Sequence, residues 1–113
     1  MEKIVMQALL YDFYGELLNR HQKSIYEDYV YNNIGISEIA EERGISRQSV
    51  HDLIKRCSKA LEEYEEKLHL VEKFNETKKL AGRIRSLTDE FGKGYDEKVI
   101  KDIKDISARL TEL

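Results

Sequence analysis

Apolar residues recur three and four positions apart along most of the chain and almost nowhere at every second position. That period belongs to amphipathic helices, so an all-α fold is predicted. In the first segment Val5, Leu9, Phe13 and Leu17 recur at i, i+4, and Ala8, Leu10, Tyr14 and Leu18 widen the stripe. They predict a helix over residues 2–18 with that stripe as its core face. Asn19 follows as a cap, and Gln22 can return a bond to the cap's own amide. The helix it opens is expected over residues 20–31, burying Ile25, Tyr26, Tyr29 and Val30. "NNIG" (residues 32–35) ends it with residues that tolerate positive φ.

Ser37 is the expected cap of a short third helix, residues 38–43. Gly44 comes next, and Ser46 can cap a fourth helix that starts at Arg47. Val50, Leu53 or Ile54, Cys57, Leu61, Tyr64, Leu68 and Val71 continue one seam along it, with no proline or glycine before Gly82. A helix of about 25 residues would run roughly 40 Å. Its tract "LEEYEEKLHLVEK" alternates apolar seam with Glu and Lys in the manner of a coiled coil. A second seam, Leu80, Ile84, Leu87 and Phe91, is out of step with the first, so a break is expected between Phe74 and Lys79. "GKG" (residues 92–94) reads as a linker. A last helix over residues 96–110 carries Val99, Ile103, Ile106, Leu110 and Leu113. So narrow a stripe requires a partner helix, from this chain or from a second copy. The organisation expected is a domain over residues 1–74 and a helical C-terminal extension over 75–113.

Ala40, Gly44, Val50 and Leu53 stand in the order A-x3-G-x5-V-x2-L, with Ile39 and Ile45 beside them. Ala40 is small where two helices cross most closely, and Gly44 supplies a left-handed turn that a Cβ would oppose. Ile45 fills the angle, while Val50 and Leu53 bury the inner face of the second helix. Together they predict a helix-turn-helix bundle with a long fourth helix.

Geometry then selects the residues free to read a partner: Ser46, Arg47, Gln48, Ser49, His51, Asp52, Lys55, Arg56 and Lys59. Arg47 and Gln48 fall where recognition helices meet base edges, Arg suited to guanine and Gln to adenine. Lys55, Arg56 and Lys59 can hold phosphates. From Ser46 to Lys59 four basic residues (Arg47, Lys55, Arg56, Lys59) face Asp52 alone, a local excess of +3. DNA or RNA is the partner this pattern suggests, set against the plainer possibility of a solvated face. A second cluster, Lys78, Lys79, Arg83 and Arg85, reads better as a solvated flank than as a phosphate contact. Tyr11, Tyr14, Tyr26, Tyr29 and Tyr31 could stack on bases, but at helical spacing they read as core with hydroxyls at its edge.

Composition narrows the classes further. The 113 residues contain no proline, are 36% charged and 41% apolar, and carry a net charge of −3. The acidic balance argues against a globally basic, non-specific nucleic-acid binder and leaves a local basic face open. The lone Cys57 excludes an internal disulfide and fits a reducing cytoplasm. No apolar run reaches the roughly 20 residues of a membrane span. The start "MEKIVMQALLYDFYGELL" is an amphipathic helix and not a signal peptide. His21, His51 and His69 have no ligand spacing to Cys57 or to one another, so no metal and no cofactor are expected. The pairs Glu62/Glu63 and Glu65/Glu66 read as exposed coiled-coil charges. An enzyme is not expected.

The run "LLNRHQKSIYEDYVYNNIGISEIAEERGISRQSVHDLIKRCSKALEEYEEKLHLVEKF" resembles the YlxM (UPF0122) proteins of Gram-positive bacteria. The resemblance rests on "LL-x3-Q", "SRQ-x-V-x-D-x-I-x-R" and "YE-x-KL" and covers about residues 4 to 75. Asn19 stands where that family usually has a Thr cap, a chemically equivalent choice. The helix-turn-helix is also similar, more broadly, to region 4 of the sigma-70 factors. The YlxM resemblance implies a regulatory part in the signal recognition particle pathway. The partner would then be nucleic acid, meaning DNA or the particle's RNA, or a protein, the particle's GTPase or its receptor, met by the acidic tract 62–66. A homodimer sealed by the last helix is expected as well.

Overall fold

The first helix shows what decides burial in this chain. A computed structural model describes residues 2–91, 94 and 96–113. In it α1 (Lys3–Tyr14) buries Gln7, Leu10, Tyr11 and Tyr14, while Val5, Phe13 and Leu17 of the expected core stripe are exposed. An apolar count cannot choose between two such faces. Polar pairing does: Tyr11 donates to Glu27, Tyr14 to Glu65, and Gln7 Nε2 to Ser58 Oγ at 3.2 Å. Each bond forms only when that face is turned inward. The helix also stops earlier than expected. A Cβ at Gly15 would lie 2.8 Å from the Tyr11 ring. The bare glycine lets the chain tighten into a 3₁₀ turn, Gly15–Leu17, and bring Leu18 into the core.

The second helix, α2 (Arg20–Val30), starts with the expected capping box. Asn19 Oδ1 accepts from Gln22 N at 2.8 Å, and Gln22 Oε1 accepts from Asn19 N at 3.0 Å. Asn33 takes the positive φ, 53°, after it. Next comes α3 (Ile36–Arg43), capped by Gly35 and not by Ser37, which lies inside the first turn. Half-buried Ile36 packs on the core, so winding begins there, and the Gly35 carbonyl takes the first bond from Ile39 N at 3.0 Å. Then α4 runs Arg47–Leu68, 22 residues or about 33 Å.

The break after α4 falls at His69 and not between Phe74 and Lys79. His69 adopts φ 56°, ψ 29°, and Leu68 on the seam is exposed. The core under α4 ends near Leu61. A straight helix would carry Val71 about 15 Å past Leu61, whereas Val71 is buried in the same cluster. The chain turns to bring it back. The first amides beyond the turn are held from α1 and α4: Leu70 N donates to Tyr14 Oη at 3.0 Å and Val71 N to Glu65 Oε1 at 2.9 Å. Glu65 is therefore half-buried and engaged in the fold, not the exposed coiled-coil charge its position suggests.

The described residues gather into two units, Met1–Val71 and Glu72–Leu113. The first holds one core in which Tyr14, Ile25, Tyr26, Ile39, Val50, Cys57 and Leu61 are almost wholly buried. The second contains most of α5 (Leu70–Phe91) and α6 (Glu97–Thr111). Leu80, Val99 and Ile106 are buried there, and Arg109 donates to Glu76 Oε1 at 3.1 Å. Of the α6 stripe, Val99 and Ile106 are thus buried within one chain, Ile103 and Leu110 are half-buried and Leu113 is exposed. Asp96 caps α6 through Lys98 N at 2.9 Å. Of the expected linker, Gly94 has φ 151°, while Gly92 and Lys93 lie outside the described residues. All regular structure among the described residues is helical.

Candidate nucleic-acid interface

Two helices and one left-handed residue build the site. Gly44 sits at φ 64°, ψ 32°, and Ile45 N reaches back to Ala40 O at 3.1 Å, closing α3. Ile39, Ala40 and Val50 are buried beneath the crossing and Ile45 is half-buried in its angle. Ser46 then caps α4, its Oγ accepting from Ser49 N at 3.0 Å. The pair Arg43–Asp28, at 2.7 Å, ties the end of α3 to α2. The Arg43 guanidinium beside Asp28 holds that carboxyl below its ordinary range. This is a helix-turn-helix, α3 and α4 joined at Gly44, with the outer face of α4 exposed.

All nine residues read from the sequence lie on the surface. Five of them are already engaged with neighbours. Ser46 and Ser49 share the cap, their hydroxyls 2.8 Å apart. Gln48 Nε2 donates to Asp52 Oδ1 at 2.8 Å. His51 Nδ1 lies 3.7 Å from the same oxygen. By contrast Arg47, Lys55, Arg56 and Lys59 have no carboxylate within ion-pair distance among the described residues. Four uncompensated cations on one half-helix stand out in a chain of net charge −3. Beyond Lys59 the sign reverses, with Glu62, Glu63 and Glu66 exposed.

Burial of Val50, Leu53, Ile54, Cys57 and Leu61 sets the orientation of α4. At about 100° per residue, positions 48, 52 and 59 then lie farthest from the core and form a ridge. A cleft flanks the ridge on each side. One, of about 580 Å³, is lined by His51, Lys55, Ser58, Lys59 and Glu62 of α4 and by Lys3 of α1. The other, of about 300 Å³, is lined by Ser49 and Arg56 of α4 and by Asn19, His21 and Gln22 at the start of α2. Lys3 and His21 were not legible as site residues. Each stands more than 25 positions from Arg47 in the chain, and only the packing of α1 and α2 on α4 brings them alongside.

Beneath the larger cleft runs a polar floor. Gln7, only 7% exposed, donates to Ser58 Oγ, which lies 2.8 Å from the Tyr26 hydroxyl. Burial pushes the Cys57 thiol up, which makes it a poor nucleophile. No group of three or more His, Cys, Asp or Glu positioned to hold a metal ion occurs among the described residues. No helix among them is long and apolar enough to cross a membrane.

Comparison with known proteins agrees with this architecture. The family described as "Putative helix-turn-helix protein, YlxM / p13 like" matches residues 1–106. UPF0122 proteins of Bacillus cereus (strain AH187) and Bacillus anthracis (strain A0248) are each 38% identical over 113 residues, all of this chain and 98% of theirs. A UPF0122 protein of Bacillus thuringiensis subsp. konkukian (strain 97-27) matches to the same extent.

Proposed function

From the premise that the chain belongs to the UPF0122 family of YlxM/p13-like helix-turn-helix proteins, we propose that it is a non-enzymatic regulatory protein that binds nucleic acid through the first half of α4. The observation that carries this is the set of four unpaired cations, Arg47, Lys55, Arg56 and Lys59, on the exposed rod of a helix-turn-helix. Binding of this kind is driven largely by release of counterions from phosphates, which needs exposed cations without internal partners. Arg47 and Gln48, in the first turn of α4, are the residues for base edges, and Lys55, Arg56 and Lys59 those for phosphates. Gln48 must exchange its bond to Asp52 for one to a base.

The YlxM resemblance makes the signal recognition particle pathway, in the cytoplasm, the process in which such binding would act. A homodimer would present two such rods, as helix-turn-helix proteins commonly do.

The test is fluorescence anisotropy of labelled nucleic acid titrated with the full chain at several salt concentrations. Affinity should fall steeply as salt rises, and Arg47→Ala or Lys55→Ala should each weaken it. Binding indifferent to both substitutions, or to salt, overturns the proposal.

A further inference from the structure

Tyr26 is wholly buried, and among the described residues its hydroxyl meets one polar partner, the Ser58 hydroxyl at 2.8 Å. Tyr26 therefore donates to Ser58, because a buried phenol left without an acceptor is costly. Gln7 Nε2 donates to the same Ser58 oxygen at 3.2 Å, and the Tyr29 hydroxyl faces Gln7 Oε1 at 3.5 Å. Ser58 Oγ is thus filled twice as an acceptor. Its own hydrogen and the second hydrogen of Gln7 Nε2 meet no acceptor among the described residues. Both side chains line the larger cleft beside α4. The floor of that cleft holds donors with nothing to receive them.

The walls add charge of one sign. Lys3 of α1 and Lys55 of α4 border the cleft, with Lys59 at the edge it shares with the ridge, against the single carboxylate of Glu62. Donors below and ammonium groups around them suit a ligand rich in anionic oxygens, such as a phosphate chain. Part of the lining is apolar, from Ile54, half-buried Ile36 and the Tyr29 ring. The volume, about 580 Å³, falls in the range of small-molecule pockets. A polymer lying along α4 would meet the lysines at the rim but not a floor whose Gln7 is only 7% exposed. We propose that this cleft binds a nucleoside diphosphate. Its phosphates lie on Lys3, Lys55, Lys59 and the Ser58 hydroxyl, and its base rests on Ile36 and the Tyr29 ring. Three ammonium groups match the charge of a diphosphate better than that of a single phosphate. The bound nucleotide takes up Lys55 and Lys59, two of the cations assigned to nucleic acid, and so switches that binding off. Only this consequence, not the site, rests on the nucleic-acid reading.

The experiment is isothermal titration calorimetry of the full chain, without nucleic acid, against ADP, GDP, CDP, UDP, adenosine and inorganic pyrophosphate. At least one of the four diphosphates should bind about tenfold tighter than either adenosine or pyrophosphate, because only it meets both the lysines and the apolar lining. Lys3→Ala should weaken that binding about fivefold, and Glu62→Gln should strengthen it about twofold by removing the opposing charge. Lys101→Ala, exposed on α6, should leave it unchanged. Lys3 and Glu62 are on the surface, so circular dichroism should show an intact fold in both variants. Pyrophosphate bound as tightly as every nucleotide, or affinity unmoved by Lys3→Ala, overturns the inference. So does the absence of binding by all four diphosphates at about 1 mM. None of these results touches the nucleic-acid proposal, which stands or falls on Arg47→Ala and salt.

Discussion

The Tyr14 hydroxyl donates a 2.5 Å hydrogen bond to Glu65 Oε1 and accepts one from the amide of Leu70 at 3.0 Å. With Val71 N on the same Glu65 oxygen, α1 and α4 together cap the start of α5. The cap offsets the strain of His69, a residue with a Cβ held in the left-handed region at a cost of about 1–2 kcal/mol. Tyr14→Phe removes the hydroxyl and leaves the Leu70 amide without its acceptor. The expected loss is about 1–3 kcal/mol, seen as a fall of roughly 4–8 °C in melting temperature per kcal/mol. Glu65→Gln keeps an acceptor oxygen and should cost less. Unchanged melting in Tyr14→Phe would mean that the turn at His69 is held by packing alone.

Gly44 is a purely conformational requirement. A Cβ there would meet nothing within 4 Å, so space does not demand glycine; φ of 64° does. Gly44→Ala should destabilise the protein by about 1–2 kcal/mol, and Gly44→Asn by less, because Asn tolerates this region. Thermal melts of the two variants check the ranking. A Gly44→Ala protein as stable as the parent would contradict the left-handed turn.

What the sequence disclosed and what it hid divide along one physical line. The caps at Asn19 and Ser46, the glycine at 44, and the seam of Val50, Leu53, Cys57 and Leu61 are local signals, each decided within a turn or two of chain. They sufficed to predict the helix-turn-helix and the exposure of its nine candidate residues. Tyr11 and Tyr14 were legible as core, but the face of α1 was misread at Val5, Phe13 and Leu17, which are exposed, because Gln7, Tyr11 and Tyr14 bond to partners 16 to 51 residues away that no periodicity records. The turn at His69 was missed for the same reason: its cap comes from Tyr14, and histidine carries no turn signal. Lys3 and His21 come alongside α4 only through tertiary packing.

Alkaline pH should unfold the protein progressively. Burial pushes the Tyr26 phenol up to about 12 from its ordinary 10.0. Tyr11, Tyr14 and Tyr31 are raised too, by burial first and then by the carboxylates that accept their hydroxyls. In the unfolded chain these phenols ionise near 10, so folding must hold their protons at higher pH. Their contribution is complete below pH 10 and is lost as pH rises through the folded values, at about 1.4 kcal/mol per pH unit for the fully buried Tyr26 and less for the half-exposed Tyr31, whose charge water screens. Tyr26→Phe loses the bond to Ser58, about 1 kcal/mol near neutrality, and should show a shallower alkaline decline. Asp28 acts on the other side. Its carboxyl is lowered by Arg43, so its contribution is present above 3.8 and lost as pH falls through the folded value. Urea midpoints across the pH range test both limbs. Stability that stays flat from pH 10 to 12 would contradict the burial of the tyrosine hydroxyls.

Asp52 separates positioning from sequence reading on α4. Its carboxylate is half-exposed on the ridge, accepts from Gln48, and opposes any phosphate brought near Lys55 or Lys59. Asp52→Asn preserves an oxygen for Gln48 and removes the charge, so the fold and its melting temperature should be unchanged. On random-sequence DNA the variant should bind more tightly, roughly fivefold at low salt, because a like-charge repulsion through water has been removed. The gain should shrink as salt rises and screens it. At a specific site the direction reverses if Asp52 accepts from a cytosine amino group, since an amide discriminates that base less sharply. Titrating both proteins against random DNA and against the tightest sequence selected from a random pool distinguishes the two effects. Weaker binding of Asp52→Asn to random DNA would show that the ridge does not face phosphate-rich surroundings and would displace the nucleic acid from α4.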